Sequence, residues 1–380
     1  MAPTEEFFRQ FIPKKLKYSE FDQIWYPLAR FMLGAAPVPD DILATPTYQG
    51  ARTAIADALR TGLSVTRLDG GFDYNIVRQE LAGLRPPSTI TGQYALTGVN
   101  SGAKNSVDRN YIAQAQATGF LDVRALHEVV NIQRLGNAGY RVFVREIDEL
   151  GNVLRNFSIT TCYLFMGAGS MGTTKLLLKA NASGALGKMP KELGQNWGTN
   201  GDDFRMRFGV GPVGLAMGGP PAVLVEDRNN TIAPVAIEYA GGSQTPGGQD
   251  FLFKLGIAGV RGFGSLRYDA ATDSVVPFWP PQAQQLVQAA LDQTYQILAN
   301  ATPGSVVMPA ENGRPSTYHP LGGAIIGKVC SENGEVNGQS SLFVVDGSLL
   351  DGSTGLRNPA LTITALAERC MDRIISKLKL

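Results

Sequence analysis

The 380-residue sequence predicts a mixed α/β fold. Segments that alternate apolar and polar residues predict strands, whereas apolar residues at helical spacing from Thr362 to Leu378 predict a long C-terminal helix. The 44 glycines and 22 prolines indicate many loops and close backbone approaches, which suits an α/β protein better than a helical bundle. A chain of this length can bury one large or two moderate hydrophobic cores.

The composition argues against several classes of protein. A formal net charge of +1 implies no broad basic surface, so nucleic acid is not expected as the main partner. The cysteines, Cys162, Cys330 and Cys370, form no metal motif, and their odd number and wide spacing argue against a disulfide framework. No apolar run is long enough to predict a membrane span. Acidic residues precede any apolar stretch at the start, so no signal peptide is predicted, and a secreted and a cytoplasmic bacterial location both stay open.

The periodicity of apolar residues assigns the regular elements. Strands are predicted at 63–68, 123–133, 140–144, 156–166, 222–226, 233–239, 249–255, 264–269 and 341–345, and helices at 47–61 and 281–299. An earlier amphipathic helix should pack Phe21, Trp25 and Ala29 on a core, and a helix after Ser106 could use that serine as its cap. The stretch 69–71 is predicted as a turn and 241–248 as a flexible loop.

The segment 316–363 is the predicted site of chemistry. His319, one of only two histidines, is followed by Gly322 and Gly323, which would let the backbone approach a ligand. Asn358 followed by Pro359 predicts a helix start, with the asparagine as cap and the proline at the first helical position. The positive end of that helix could face an anion or an electron-rich ring. Taken singly, each feature has a commoner structural explanation.

A glycine motif lies near the middle of the chain. Residues Gly167–Gly172 match the dinucleotide fingerprint G-x-G-x-x-G between a predicted strand and a predicted helix. The acidic residue expected about twenty positions later at a strand end is not evident, because Glu192 falls in a loop rich in lysine and glycine. The glycine motif alone nevertheless leaves an NAD dehydrogenase open as an alternative function.

Two further ionisable residues lie in predicted strands. Glu238 should point to the opposite face of its strand from Ile237 and Tyr239. It is either a solvent-facing glutamate or an inward carboxylate whose raised pKa would suit proton transfer. His127 is predicted to be structural.

Three segments together carry a resemblance to a known family. Tyr318–Gly323, Val345–Leu349 and Asn358–Arg369 closely resemble the C-terminal signature of the glucose-methanol-choline (GMC) flavin oxidoreductases and, within them, the bacterial cholesterol oxidases. The resemblance extends upstream to about Phe72. It implies two interleaved parts: a substrate-binding domain with a mixed sheet over an apolar cavity, from residues 1–103 and 194–333, and an incomplete Rossmann-like FAD-binding domain, from residues 104–193 and 334–380.

The resemblance also bears on the cofactor. It identifies Gly167–Gly172 as a second glycine motif that packs against FAD, whereas the family's pyrophosphate-binding fingerprint would precede Met1. The expectation is therefore a chain that lacks the N-terminal FAD-binding segment, through truncation or because a partner supplies it. The FAD contacts implied are Val129, Gly167, Gly169, Asp346, Gly347, Asn358 and Pro359.

The activity implied is oxidation of a sterol 3β-hydroxyl to the ketone, with O2 reduced to H2O2. His319 and Asn358 would hold the hydroxyl, with His319 as candidate base, and Tyr318 would contact the substrate. Glu238 would move a proton as a 5-ene-3-one becomes a 4-ene-3-one. A GMC enzyme for another alcohol and an FAD-free, non-catalytic fragment or apolar-ligand binder stay open as alternatives. A transient contact with a membrane surface is an expectation from the family alone.

Overall fold

A computed structural model of the chain describes residues 1–91, 98–211, 218–244, 250–261, 264–309 and 315–378, with the backbone alone at 240–244, 250 and 253. These residues contain both helices and several sheets, which confirms the mixed α/β class. The α-helices are α1 (Glu5–Phe11), α2 (Tyr18–Glu20), α3 (Tyr26–Met32), α4 (Asp40–Leu43), α5 (Gln49–Thr61), α6 (Tyr74–Leu81), α7 (Ala113–Ala117), α8 (Gly169–Ala182), α9 (Pro281–Asn300) and α10 (Ala360–Leu378). The strands are β1 (Ala35–Pro37), β2 (Ser64–Arg67), β3 (Asp69–Gly71), β4 (His127–Arg134), β5 (Tyr140–Ile147), β6 (Val153–Thr161), β7 (Leu164–Met166), β8 (Gln195–Trp197), β9 (Asp202–Phe208), β10 (Val223–Asp227), β11 (Val235–Gln244), β12 (Asp250–Ala258), β13 (Gly264–Asp269), β14 (Ser274–Phe278), β15 (Val306–Pro309) and β16 (Leu342–Val344).

The largest sheet has six strands in the order β15-β9-β12-β11-β10-β2. Every described pair in it is antiparallel, which differs from the mixed sheet expected from the sequence. Helices α5 and α9 cover one face. The other face contributes Phe204, Leu224 and Leu255 to an apolar cluster that is completed by Phe7 and Phe11 of α1. Helix α1 therefore packs on the face where an apolar cavity was expected.

A second group of elements surrounds α8. Strand β7 pairs with β16 in parallel, β4, β5 and β6 form an antiparallel meander, and α8 packs against β4. Their core contains Leu177 of α8, Val344 of β16 and Leu366 of α10, but also Phe21 and Tyr26 from the N-terminal region. The domain boundaries given above stay a prediction.

Most predicted elements are confirmed with shifts of a few residues, and four local assignments are wrong. The strand predicted at 156–166 is two strands, β6 and β7, which belong to different sheets. Residues 69–71 form strand β3 paired with β1, not only a turn. Helix α7 follows a π-helical segment, Asp108–Ile112, whose N-terminal neighbour is Val107, so Ser106 is not its cap. Strand β11 runs to Gln244, into the loop predicted at 241–248, and residues 245–249 lie outside the described part of the chain. Among the described residues, no helix combines the length and apolar character needed to cross a bilayer.

Candidate active site

A buried aspartate at the start of β9 holds the loop that carries His319. The His319 ring places Nδ1 at 3.0 Å from Oδ1 of Asp202, which is fully buried. The Tyr318 backbone N–H donates to Oδ2 of Asp202 at 3.2 Å, and the Thr317 hydroxyl lies 2.9 Å from the same oxygen. The His319 backbone N–H donates to Thr317 Oγ1 at 2.8 Å. The histidine ring is thus fixed by its backbone and by a carboxylate.

Glu238 and Asn358 meet beside this loop. Glu238 is only 2% exposed, so the solvent-facing alternative is wrong and the inward one is correct. Asn358 donates through Nδ2 to Glu238 Oε2 at 2.9 Å. Glu238 Oε1 and Asn358 Oδ1 are buried and have no hydrogen-bond partner among the described residues. Asn358 therefore does not cap α10, which begins at Ala360. The site contains two oxygens that can accept hydrogen bonds from a ligand.

The charges of His319 and Glu238 depend on each other. Burial raises the pKa of Glu238, and this rise is partly offset by the Asn358 hydrogen bond and by the positive charge of His319. Burial lowers the pKa of His319, but the charge and hydrogen bond of Asp202, together with the charge of Glu238, outweigh it and leave the pKa above its usual value. Both shifts favour the protonated form of each side chain.

The turn before Asn358 is anchored to the large sheet. Arg357 donates from Nη1 and Nη2 to Glu226 Oε1 at 3.1 and 3.0 Å, and both side chains are buried. Asn200 donates to the Arg357 carbonyl at 3.0 Å and accepts from the Thr354 N–H at 2.9 Å. These contacts fix where Asn358 stands relative to Glu238.

The sequence analysis missed Asp202, Asn200 and the Glu226–Arg357 pair. A signal for Asp202 was present, because Asp202 and Asp203 are adjacent in a strand, and strands point successive side chains to opposite faces. Aspartate is also depleted in strands, which makes two in succession informative. No local sequence pattern indicated the Arg357–Glu226 pair, because the two residues are distant in sequence and meet only in the fold.

The glycine motifs meet at the carboxyl ends of β7 and β16. Because the two strands are parallel, the residues that follow them lie at the same edge, and Gly167 and Gly169 lie beside Asp346 and Gly347. Asp346 accepts from the backbone N–H groups of Gly169 and Ser348 at 2.9 Å each and from the hydroxyls of Thr173 and Ser348. Its carboxylate therefore occupies the positive end of α8. A cofactor phosphate at this helix end would meet a carboxylate, which argues against a pyrophosphate-binding site built on Gly167–Gly172.

Gly322 and Gly323 serve packing within the protein. Their φ angles are +90° and +105°, a region that favours glycine. A Cβ on Gly322 would lie 2.1 Å from the Asn196 carbonyl oxygen, and one on Gly323 would lie 2.3 Å from Thr174 Oγ1. The close approaches predicted at these glycines are therefore contacts with other parts of the chain. They hold the segment after His319 against β8 and α8.

The remaining candidates lie around these groups. Tyr318 is 62% exposed, and its ring centroid lies 4.7 Å from that of Phe204 on the large sheet. Pro359 is buried, and its carbonyl accepts from Ile363 N–H in the first turn of α10 at 2.8 Å. Val129 lies in β4, in a different sheet, and is exposed. His127 contacts the Ala125 carbonyl through Nδ1 at 2.7 Å, consistent with a structural role.

The sequence relatives are oxidoreductases by name. Residues 265–367 match the family model described as GMC oxidoreductase. The cholesterol oxidase of Acinetobacter baumannii is 27% identical over 344 residues, an alignment covering 74% of this chain and 60% of that protein. The cholesterol oxidase of Mycobacterium tuberculosis (strain ATCC 25618 / H37Rv) is 25% identical over 348 residues, covering 72% of this chain and 57% of that protein. The chain thus spans less than two thirds of the length of these curated relatives.

The fold has relatives among solved structures. Pyridoxine 4-oxidase from Mesorbium loti superposes with a TM-score of 0.67 at 15% identity, covering 98% of this chain and 81% of that one. An FAD-dependent oxidoreductase from Chaetomium thermophilum superposes with a TM-score of 0.58 at 12% identity, covering 87% of this chain and 72% of that one. The chain is therefore similar to the GMC oxidoreductases through the match over residues 265–367 and through the curated relatives, and it shares its fold with the two solved oxidoreductases.

Proposed function

We propose that this chain takes part in the FAD-dependent oxidation of a sterol 3β-hydroxyl to the ketone, followed by migration of the ring double bond. The observation that carries the proposal is the Glu238–Asn358 hydrogen bond of 2.9 Å, beside the histidine that Asp202 holds. Oxidation of an alcohol requires a group that takes the hydroxyl proton and groups that orient the hydroxyl oxygen. The double-bond migration requires a second proton carrier, and a buried carboxyl meets that need.

Features of this chain fit a flavin. The carboxyl ends of β7 and β16 bear Gly167, Gly169 and Gly347, and ligands of α/β proteins bind outside such strand ends. A Cβ on Gly167 or Gly169 would meet no atom within 4 Å among the described residues, so their backbone is open to a ligand. The Asp346 side chain is saturated by protein donors, so we assign its part in cofactor binding to fixing this turn. Gly347, Asn358 and Pro359 would contact the flavin, and Val129 the adenine.

FAD, when bound, supplies the acceptor for the hydride that leaves the carbinol carbon, and O2 takes up the electrons afterwards. The protein's own residues do the rest. His319 takes the hydroxyl proton at Nε2, because Nδ1 is held against Asp202. Asn358 orients the hydroxyl oxygen by donating the second N–H of Nδ2, because the first N–H donates to Glu238 and the single hydroxyl hydrogen goes to His319. The N-terminal end of α10 favours negative charge beside it.

Glu238 then moves a proton without a change of oxidation state. Its carboxylate takes the proton from the carbon between the ketone and the double bond and returns one to the far end of that double bond. Burial raises the pKa of Glu238, so it is a stronger base than an exposed glutamate and can also release the proton it has gained. The sterol body would contact Tyr318, whose exposed ring lies beside Phe204, and burial of hydrocarbon there favours binding.

The test begins with the purified chain incubated with FAD, freed of excess and examined by absorbance. A retained flavin band, followed by formation of H2O2 and the 4-ene-3-one from a 3β-hydroxy-5-ene sterol, would support the proposal. A chain that retains no flavin would contradict FAD binding by this polypeptide alone. Turnover of small polar alcohols in preference to the sterol would favour the alternative of a GMC enzyme for another alcohol, and turnover dependent on a nicotinamide cofactor would favour a dehydrogenase.

Product analysis tests the role of Glu238. We expect Glu238→Gln to release the 5-ene-3-one, because the amide retains the hydrogen bond from Asn358 but cannot carry a proton. Glu146→Gln is the matched control, since Glu146 lies in β5 of the meander and pairs with Arg155. It should still give the 4-ene-3-one. An isomerised product from Glu238→Gln, as seen by ultraviolet absorbance of the conjugated ketone, would overturn the role of Glu238.

A further inference from the structure

Asp202 is a buried acid whose carboxylate contacts three groups of a single loop. Its side chain is fully buried at the first position of β9. Its carboxylate is surrounded by the Thr317 hydroxyl, the Tyr318 backbone N–H and the His319 ring, which come from three successive residues of one loop. A buried carboxylate that meets three groups of one loop determines the conformation of that loop.

We propose that Asp202 is the positioning residue of His319, holding a proton on Nδ1 so that Nε2 is the nitrogen that faces the substrate. A carboxylate only accepts hydrogen bonds, so the nitrogen that contacts it must be the one bearing hydrogen. The neutral imidazole carries a single N–H, and placing it on Nδ1 leaves a lone pair on Nε2. The inference rests on the proposed function for its catalytic meaning, but the proton assignment belongs to this chain alone.

Asp202 also favours the charged form of the ring. When Nε2 takes the hydroxyl proton, the O–H bond of the alcohol breaks, an N–H bond forms, and the ring becomes an imidazolium. The distance of 2.9 Å between Nδ1 and the nearer oxygen of Asp202 makes this a charge-assisted contact in a site with little water. Among the described residues, Glu238 on β11 is the other group whose charge acts on His319.

The neighbouring aspartate provides a matched control. Asp203 follows Asp202 in β9 and points to the opposite face, where it pairs with Arg205 at 2.8 Å. Both aspartates are buried and both are in ion pairs, so their amide variants perturb the same strand to a similar degree. Only the variant of Asp202 removes the charge beside His319.

The experiment is an NMR titration of the whole chain labelled with ¹⁵N and ¹³C in histidine, without FAD or sterol. The chain has only two histidines, and His127→Gln assigns their signals. Asp202→Asn should lower the pKa of His319 by about 1 or more, as loss of an adjacent opposite charge does, and increase the Nε2–H tautomer. Asp203→Asn should leave both quantities at the wild-type values. Equal pKa values and tautomers in the wild type and Asp202→Asn would overturn the proposal.

The wild-type spectrum gives a second measurement that needs no variant. If Asp202→Asn does not fold, the ¹⁵N shifts of wild-type His319 above its pKa still report the tautomer. Nδ1–H supports the proposal, and Nε2–H overturns it. These results stand whether or not the chain oxidises sterols, so failure of the proposed function is distinguishable. In an active holoenzyme, Asp202→Asn should lower kcat more than it changes KM and move the His319 limb of the pH profile to lower pH.

Discussion

Two buried carboxylates, Asp346 beside α8 and Glu238 on the large sheet, are treated in opposite ways by their surroundings. Asp346 accepts hydrogen bonds from Gly169, Thr173 and both donors of Ser348. Glu238 receives one, from Asn358, and its second oxygen is buried without a partner among the described residues. The first carboxylate is satisfied by the protein, whereas the second is not.

This difference separates a structural acid from a candidate catalytic one. A carboxylate with several donors is held as an anion, and its removal leaves those donors unpaired. A carboxylate with one donor in an apolar site is costly to ionise and can exchange a proton at moderate pH. Both residues belong to motifs that the resemblance connected with function, so their roles could be told apart only from their hydrogen bonds.

The largest effect should come from breaking the saturated site. In Asp346→Asn, an amide N–H₂ would replace Oδ2, which accepts from the Gly169 N–H and the Thr173 hydroxyl. Each of these two charge-assisted hydrogen bonds is worth about 1.5–3 kcal/mol. We expect unfolding free energy to fall by about 3–5 kcal/mol. Urea unfolding would measure it. Asp122→Asn, at an exposed pair with Arg124, should stay within about 0.5 kcal/mol. A fall of similar size in both variants would contradict the distinction drawn here.

A smaller loss should follow from filling the space beside α8. In Gly323→Ala, the new Cβ would meet Thr174 Oγ1 at 2.3 Å and the φ of +105° would be strained, so we expect a loss of about 2–4 kcal/mol. Gly83→Ala is the control for backbone strain alone, because Gly83 has φ of +72° and no atom within 4 Å of its Cβ position among the described residues. It should lose about 1 kcal/mol. Equal losses, measured by thermal or urea unfolding, would show that packing against Thr174 is unimportant.

The fold was largely accessible from sequence because its signals are local. The long helix α10, the helix α5 and the strands of the large sheet follow from periodicity, which each segment carries by itself. The short strand β3 was missed since its partner β1 lies more than thirty residues earlier and supplies the pairing. The pattern also predicted the opposite orientations of Glu238 and Ile237, but not that both side chains are buried.

The site was only partly accessible because it is assembled from distant strands. His319 and Asn358 stood out as a rare residue and an unusual helix start. Asn358 donates to Glu238 through Nδ2, and its Oδ1, the atom that would accept from the first turn of a capped helix, has no partner among the described residues. Asp202 was missed although its neighbour Asp203 marked the position, because the faces of a strand cannot be assigned until its sheet partners are known.

The smallest effect tests the unsaturated carboxylate through the pH dependence of stability. Burial raises the pKa of folded Glu238 above the unfolded value near 4.5, so the unfolded chain ionises first as pH rises. This group therefore destabilises the fold progressively from about pH 4.5 up to its folded pKa, and Glu238→Gln removes that decline. The unfolding free energy of Glu238→Gln minus that of the wild type should rise as pH increases from 5 to 8. Glu146→Gln should show no such rise, because the hydrogen bond from Arg155 lowers the pKa of Glu146 and moves its titration below that range. A flat difference for Glu238→Gln would mean that folding does not raise the pKa of Glu238, and would contradict its role as the unsaturated carboxylate.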